Sequence, residues 1–410
     1  MKAIQPAVLI VLLAFMGLLN SLCSDMLIPA LPAMRTDMGI SSWQAQQTIS
    51  LFFFASAFMS LWYGAIADAY GRRRIILFSL LLLALSTAAS AFPSNIETLW
   101  GLRIVQGLAA GAGMVISRSI LHDLHHGPTA QHLLGRITML QTLSLIATPV
   151  IGAWLSIHFG WRAVFVALSA TAFTLAGIYW RWLPETLPVD RRLSLHPVAL
   201  ARAYLHALRT PRFVRLSVAH VANWTSMAIY VVSAPSIVIH LLGKAATDIY
   251  LIYAPITLGL TIGFLSFPRL LRRLRSGQML ATAYGILGAA VALNLAMTGW
   301  LTAGVVHIVP LFVYSFGLAI ALPILISGAI EPLRQSAGVA ASLQTFLQFA
   351  MIALAAGLIA PWLWDSLFSL ALGTGLLTLL GGLGVYLDHK AGRDVEPIPT
   401  TNPLGNSEVS

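Results

Sequence analysis

Charge is what this sequence has least of. Only 9% of its 410 residues are Asp, Glu, Lys or Arg, against roughly 25% in ordinary soluble domains, and that deficit excludes a water-soluble fold. Carboxylates are scarcest, 14 in all, so each one that interrupts an apolar run is a candidate for chemistry. Cysteine is nearly absent: the lone Cys23 excludes a disulfide framework and a cysteine-based zinc site. Gly-x-Ser-Gly and His-Glu-x-x-His, on which an intramembrane enzyme would build its nucleophile or metal, are missing too, so no enzyme activity is expected. A removable leader is not expected either, because the apolar stretch from Ala7 to Ile28 is long enough to span a bilayer. Leu22, not a small residue, precedes Cys23, which argues against a lipoprotein. His122, His125 and His126 share a helical spacing but bring no closed ligand set, so they read as a solvated cluster, and no metal or other cofactor is expected.

What fills the chain is hydrophobic, 58% of all residues. A helix needs about 20 apolar residues to cross the hydrocarbon core, and such stretches lie near 7–29, 43–67, 75–92, 96–119, 133–156 and 161–183. A second set lies near 213–241, 246–268, 278–299, 301–325, 337–360 and 362–387. The pattern predicts an all-α membrane protein of twelve transmembrane helices in two pseudo-symmetric six-helix bundles, 1–183 and 213–387. Between them, 184–212 carries Asp190, Arg191, Arg192, Arg202 and Arg209 and reads as a polar linker. The stretch 388–410, with Pro397, Pro399 and Pro403, reads as a tail.

With the N-terminus in the cytoplasm, twenty Lys and Arg residues map to that side and only Arg35, Arg162 and Lys244 to the other, with Arg103 left inside a span. The positive-inside rule expects this asymmetry. The net charge of +10 is therefore topology and contact with anionic lipid heads, not nucleic-acid binding. A multi-pass inner-membrane protein with both termini cytoplasmic is the expected placement.

Three stretches carry chemistry. Gly64-Ala65-Ile66-Ala67-Asp68-Ala69-Tyr70-Gly71-Arg72-Arg73-Arg74 joins the second and third spans as a short turn, where glycines permit a tight reversal and Asp68 can face a helix N-terminus. Arg103-Ile104-Val105-Gln106-Gly107 puts a cation inside the fourth span, at a cost of about 2.5–3.5 kcal/mol on insertion scales, so a functional role is the default and neutralisation by backbone carbonyls the plainer alternative. Gly107, Ala110, Gly111 and Gly113 offer small surfaces for close helix packing. Asp25-Met26-Leu27-Ile28-Pro29-Ala30-Leu31-Pro32 places the only carboxylate of the first span ahead of two prolines. Asn20, His220, Asn223, Tyr230, Tyr253, Asn294, His307, Tyr314, Gln344 and Gln348 are further polar groups within spans, candidates to line a substrate cavity or to bond helix to helix.

These stretches resemble the major facilitator superfamily. Its signature loop has a glycine, an aspartate four residues on, then glycine and arginines; its fourth span has Arg-x-x-Gln-Gly; its drug–proton antiporters have an acid followed four positions on by proline in the first span. The wording is most similar to the bicyclomycin-resistance subfamily. Ser117 to Leu124 with Arg118 and Asp123, Phe159-Gly160-Trp161-Arg162, Leu183-Pro184-Glu185-Thr186-Leu187 and Ala337 to Leu343 match as well. The resemblance implies a monomeric secondary transporter that exports small amphiphilic drugs by proton antiport, with a dedicated exporter of an endogenous metabolite such as a siderophore as the alternative. It implies that Asp25 couples protons with Arg103 and Gln106 as partners. It also implies that Gly64, Asp68, Gly71, Arg72, Arg73, Arg118 and Asp123 latch the bundles on the cytoplasmic side. Two departures stand out: only Thr148-Pro149-Val150-Ile151-Gly152-Ala153-Trp154 survives of the antiporters' fifth-span motif, with Ala153 at a usual glycine, and the second repeat of the signature loop, Pro268 to Gly277, has no aspartate.

Overall fold

Prolines and glycines decide where the helices of this chain break. In the computed structural model, residues 6–124, 147–188, 196–301 and 304–391 are described, with 133, 137, 144 and 192 between them, and among the described residues there is no strand. In chain order the helices are α1 (Pro6–Asp25), α2 (Leu31–Met38), α3 (Ser42–Ser60), α4 (Tyr63–Tyr70), α5 (Arg72–Ala89), α6 (Ile96–Ala110), α7 (Ala112–Leu124) and α8 (Ala147–Phe159). They continue as α9 (Trp161–Trp182), α10 (Pro197–Arg209), α11 (Pro211–Val232), α12 (Tyr250–Leu271), α13 (Ser276–Trp300), α14 (Val309–Ile330), α15 (Ala337–Leu354), the short α16 (Ala360–Trp362) and α17 (Leu367–Lys390). Among the described residues, seven helical stretches are long and apolar enough to cross a membrane, or eight if a bent pair counts as one.

The first span is longer than expected, running from Val11 to Met38. Pro29 has no N–H to give the Asp25 carbonyl, so α1 stops at Asp25. The chain restarts as a 3₁₀ turn over Ile28–Ala30 and then as α2, with prolines in the first positions of each, where a missing donor costs nothing. The second span is bent rather than straight. α3 and α4 meet at 52°, and the Tyr63 hydroxyl, donating to the Leu108 and Ala109 carbonyls, pins the bend to α6. The stretch expected as a turn, Gly64 to Tyr70, is therefore mostly helix, and the reversal falls on Gly71 at φ 95°, which a side chain would strain. Within the expected linker, 197–209 forms α10, whose apolar residues follow a helical period interrupted by arginines.

One apolar core runs from Leu12 to Leu183 through α1, α3, α5, α6 and α9 and takes in Ala228, Val232, Phe349, Ile352, Ala353, Ala356 and Ala360 of the second half, and two more are formed by second-half residues, one of them joined by Ala153. Large side chains remain exposed around them. Along α17, Leu372, Leu376, Leu379 and Leu383 repeat every three or four residues on the outside, a surface suited to hydrocarbon and not to water. Trp300 and Trp362 stand exposed at helix ends, where interfacial aromatics collect.

An ion network ties helices of the second half together. Arg212 pairs with Glu331 at 3.1 Å and with Asp388 at 3.8 Å, and Arg215 with Asp388 at 3.5 Å, tying α11 to the ends of α14 and α17. Asp388 is only 2% exposed. Removing one member of a buried ion network leaves the others uncompensated, so Asp388→Ala is expected to cost about 3 kcal/mol. A thermal-unfolding shift of several degrees in detergent would show it; an unchanged midpoint would contradict it.

Candidate functional site

The break after α1 leaves Asp25 as the last α-helical residue before a proline-rich turn, half-buried within an apolar span. Its Oδ1 accepts from the Ser24 hydroxyl at 2.8 Å, which also reaches the Ser21 carbonyl. Two groups share its surroundings electrostatically: the Cys23 thiol and, from α12 in the second half, Tyr253. The Tyr253 hydroxyl is buried without a hydrogen-bond partner among the described residues. The charge of a first-half carboxylate thus acts on a phenol of the second half. α8 presses on the break from the side, because Gly152 approaches so closely that an added Cβ would lie 2.6 Å from the Met26 Cα. Next to it Ala153, where the antiporter motif has glycine, is buried in a core formed otherwise by second-half residues.

Arg103 is fully buried on α6. Its Nε donates to the Thr48 carbonyl at 2.9 Å, its Nη1 to Gln106 Oε1 at 2.6 Å, and its guanidinium lies 4.3 Å from the centre of the Phe52 ring. Gln106 passes the network on, donating to Ser90 Oγ at 2.6 Å. Arg103 and Gln106, expected as partners of Asp25, bond each other, as i,i+3 neighbours allow. Asp25 is not its hydrogen-bonding partner. Among the described residues no carboxylate forms an ion pair with Arg103, which is held by a carbonyl, an amide and an aromatic face while Cys23 senses it. Arg103 and Gln106 brace α3, α5 and α6 around the site.

Contacts between the two halves run along α3. Gln46 donates to the Val232 carbonyl at 3.3 Å, Gln47 to Gly357 O at 2.9 Å and Ser50 to Ala353 O at 2.8 Å, and the Phe53 and Phe349 rings lie 5.7 Å apart. Ala355–Ile359 is a π-helical turn, a bulge that shifts carbonyls off their helical partners. These α3 residues were not among the expected site residues, although Gln46, Gln47 and Ser50 form a visible polar stripe at the start of the second span.

Most expected cavity residues bond helix to helix. Asn20 donates to Ser56 at 3.1 Å within the first half. Asn223 donates to the Tyr284 hydroxyl, Tyr314 bonds Asn223 and Thr378, Asn294 bonds Tyr230, and Gln344 bonds Ser217, all within the second half. His307 closes the turn before α14 against Gly304 and Met297. His220 is buried with its Nδ1 unpartnered among the described residues, and Gln348 is half-buried on α15. Tyr230, Asn294 and Tyr314, with Ser226, Ser315 and Thr374, line a small pocket inside the second half. A second pocket opens between the halves and is lined by Arg35, Gln46, Val232, His240 and Trp364.

At the opposite end, Asp68 pairs with Arg72 at 3.3 Å, one helical turn away. The carboxylate at the start of α5 is Glu185, whose Oε1 accepts the Arg72 backbone N–H at 2.9 Å and whose Oε2 lies 3.9 Å from Arg192, using the positive end of the helix. Arg73 donates to the Trp180 carbonyl. Gly71 makes room for this, since a Cβ there would meet Glu185 at 2.5 Å; Gly64 has open space around it. The side chains of Arg118 and Asp123 lie outside the described residues.

The chain resembles known proteins over most of its length. It is 28% identical to a bicyclomycin resistance protein homolog of Haemophilus influenzae over 48% of the chain and 50% of that protein. It is 25% identical to a chloramphenicol resistance protein of Pseudomonas aeruginosa over 81% of the chain and 78% of the relative, and 27% identical to multidrug resistance protein D of Escherichia coli over 46% and 48%. The matches to the Haemophilus and Escherichia proteins thus span about half of each relative. A solved peptide transporter, crystallised with sulfate, superimposes with a TM-score of 0.75 over 95% of this chain and 96% of its own at 14% identity, which shows a shared fold. The sequence profile of the Major Facilitator Superfamily matches residues 13–356, and the chain belongs to that superfamily.

Proposed function

We propose that the protein exports small amphiphilic molecules across the bacterial inner membrane by proton antiport, with two six-helix halves, 1–183 and 213–387, alternating access around a central site. The observation that carries this reading is Asp25: a half-buried carboxylate at a break in an apolar span, its charge acting on Tyr253 of the other half. An acid at the junction of two moving bodies changes its surroundings when they move, which is what proton coupling requires. The drug-resistance names of the relatives support the substrate class. Twelve spans follow when α3 with α4 and the stretches 75–92, 133–156 and 213–241 each count as one crossing and Val306–Trp362 counts as two, through α14 and α15. α5 and α11 are less apolar because of Arg72 to Arg74 and of Arg212, Arg215, His220 and Asn223. Arg103 and Gln106 keep the helices around Asp25 in register, and Asp68, Arg72, Glu185 and Arg192 form the cytoplasmic latch.

In everted vesicles energised to an acid lumen, adding chloramphenicol or bicyclomycin should release protons from the lumen with the protein present and not without it. No release by either compound, or by a wider panel of amphiphiles, would overturn the antiport reading. Sidedness has its own test. In a Cys23→Ser background, cysteines placed at Ser94 and Lys244 should react with an impermeant thiol reagent from outside and one at Ser194 should not; outside labelling of position 194 would overturn the two-half arrangement.

A further inference from the structure

α10 has two different faces. At 100° per residue, Leu200, Tyr204 and Ala207 share one stripe, and this stripe meets the protein: Ala207 is buried, and the Tyr204 hydroxyl donates at 2.6 Å to the Leu61 carbonyl at the end of α3. The same hydroxyl reaches Ser342 at the start of α15. The linker helix therefore straps a helix of the first half to a helix of the second. The other face is uncovered among the described residues. Val198, Leu205 and Leu208 stand 64%, 47% and 47% exposed, and Arg202, His206 and Arg209 are exposed along their border. No acidic residue occurs anywhere in the helix.

Large apolar side chains bordered by basic groups on a short helix are unfavourable in water but complementary to the headgroup boundary of an anionic bilayer. The helix is joined to the membrane at both ends: α9 closes with the exposed Trp180 and Trp182 before it, and α11 begins directly after it. Indole rings of this kind sit at headgroup level. We propose that the outer face of α10 binds anionic phospholipid at the cytoplasmic leaflet, so that lipid charge acts on the strap that Tyr204 makes between the halves. The inference rests on the cytoplasmic placement of 184–212 proposed above.

The test uses the full chain with Cys23→Ser and a single Leu205→Cys carrying a fluorophore, in liposomes of phosphatidylcholine with and without phosphatidylglycerol. Brominated lipid should quench the label more strongly when phosphatidylglycerol is present, and aqueous iodide less strongly. Both leaflets have the same composition, so the readout does not depend on sidedness, which the Ser194 labelling reports separately. Replacing Arg202 and Arg209 together by Gln should reduce the preference for phosphatidylglycerol by about five-fold for each arginine, the equivalent of about 1 kcal/mol apiece. Tyr204→Phe, which leaves the outer face intact, should keep the quenching. Quenching independent of phosphatidylglycerol, iodide access undiminished in both liposomes, or loss of the effect to soluble glycerol phosphate would each overturn the assignment. So would shielding of the label by a second copy of the chain in lipid-free micelles.

Discussion

Asp25→Asn is expected to abolish substrate-driven proton release in everted vesicles while leaving the protein inserted and substrate binding intact. The substitution keeps the shape of the side chain and an oxygen that can accept from the Ser24 hydroxyl, which lies 2.8 Å from Oδ1 in the wild type. It removes only the ionisable proton. Because Arg103 donates its hydrogen bonds to the Thr48 carbonyl and Gln106 Oε1, losing the charge at 25 does not strand a buried guanidinium, and the cost in stability should stay within about 1 kcal/mol. Function should change far more. At roughly 100 mV one proton carries about 2.3 kcal/mol, enough for a gradient of about 50-fold per electrogenic exchange, and an uncoupled variant can build none of it. Exchange of labelled for unlabelled substrate, which needs no net proton movement, should survive. Persistent proton release in Asp25→Asn would move the coupling site elsewhere, and loss of exchange together with release would mark Asp25 as a substrate ligand instead.

Local relations within one helix were legible in the sequence, and relations between helices were not. Arg103 and Gln106 lie one turn apart on an apolar helix, so their hydrogen bond follows from spacing alone. The partnership of Asp25 with Arg103 required knowing how α1 packs on α6, and the structure gives Asp25 to Ser24 and to the neighbourhood of Tyr253 instead. Tyr253 was visible only as one of many polar groups in spans, since nothing in the sequence shows that its hydroxyl is left unpartnered. Asp68, expected to face a neighbouring helix N-terminus, lies within α4 and pairs with Arg72. Glu185, more than a hundred residues further on, accepts the backbone N–H at the start of α5, and only tertiary packing could assign it. The apolar runs announced an all-helical membrane fold; Pro29 and Pro32 announced a break; but a polar segment rich in arginine hid α10, whose helical period emerges only when Tyr204 and Ala207 are known to face the protein.

Gly152→Ala is expected to impair transport by tenfold or more in order of magnitude, a loss out of proportion to one methyl group, because overpacking of this kind costs about 1–3 kcal/mol and falls on the break that carries Asp25. An added Cβ would lie 2.6 Å from the Met26 Cα and 2.7 Å from its carbonyl carbon. Those are backbone atoms, so no side chain can swing aside, and either α8 or the Asp25–Ala30 turn must move. The direction of the strain is set by what lies behind α8: its neighbour Ala153 is already buried in the second-half core, which resists retreat. The turn should therefore yield, shifting Asp25 relative to Tyr253. Gly101→Ala is the matched control, since that glycine lies exposed on α6 with no atom within 4 Å of an added Cβ, and it should transport as the wild type does. Both variants should express and insert alike, so the comparison reads the site and not biogenesis. Equal transport by the two would mean that α8 and the break are free to part, and that the close approach of Gly152 does not hold Asp25 in place.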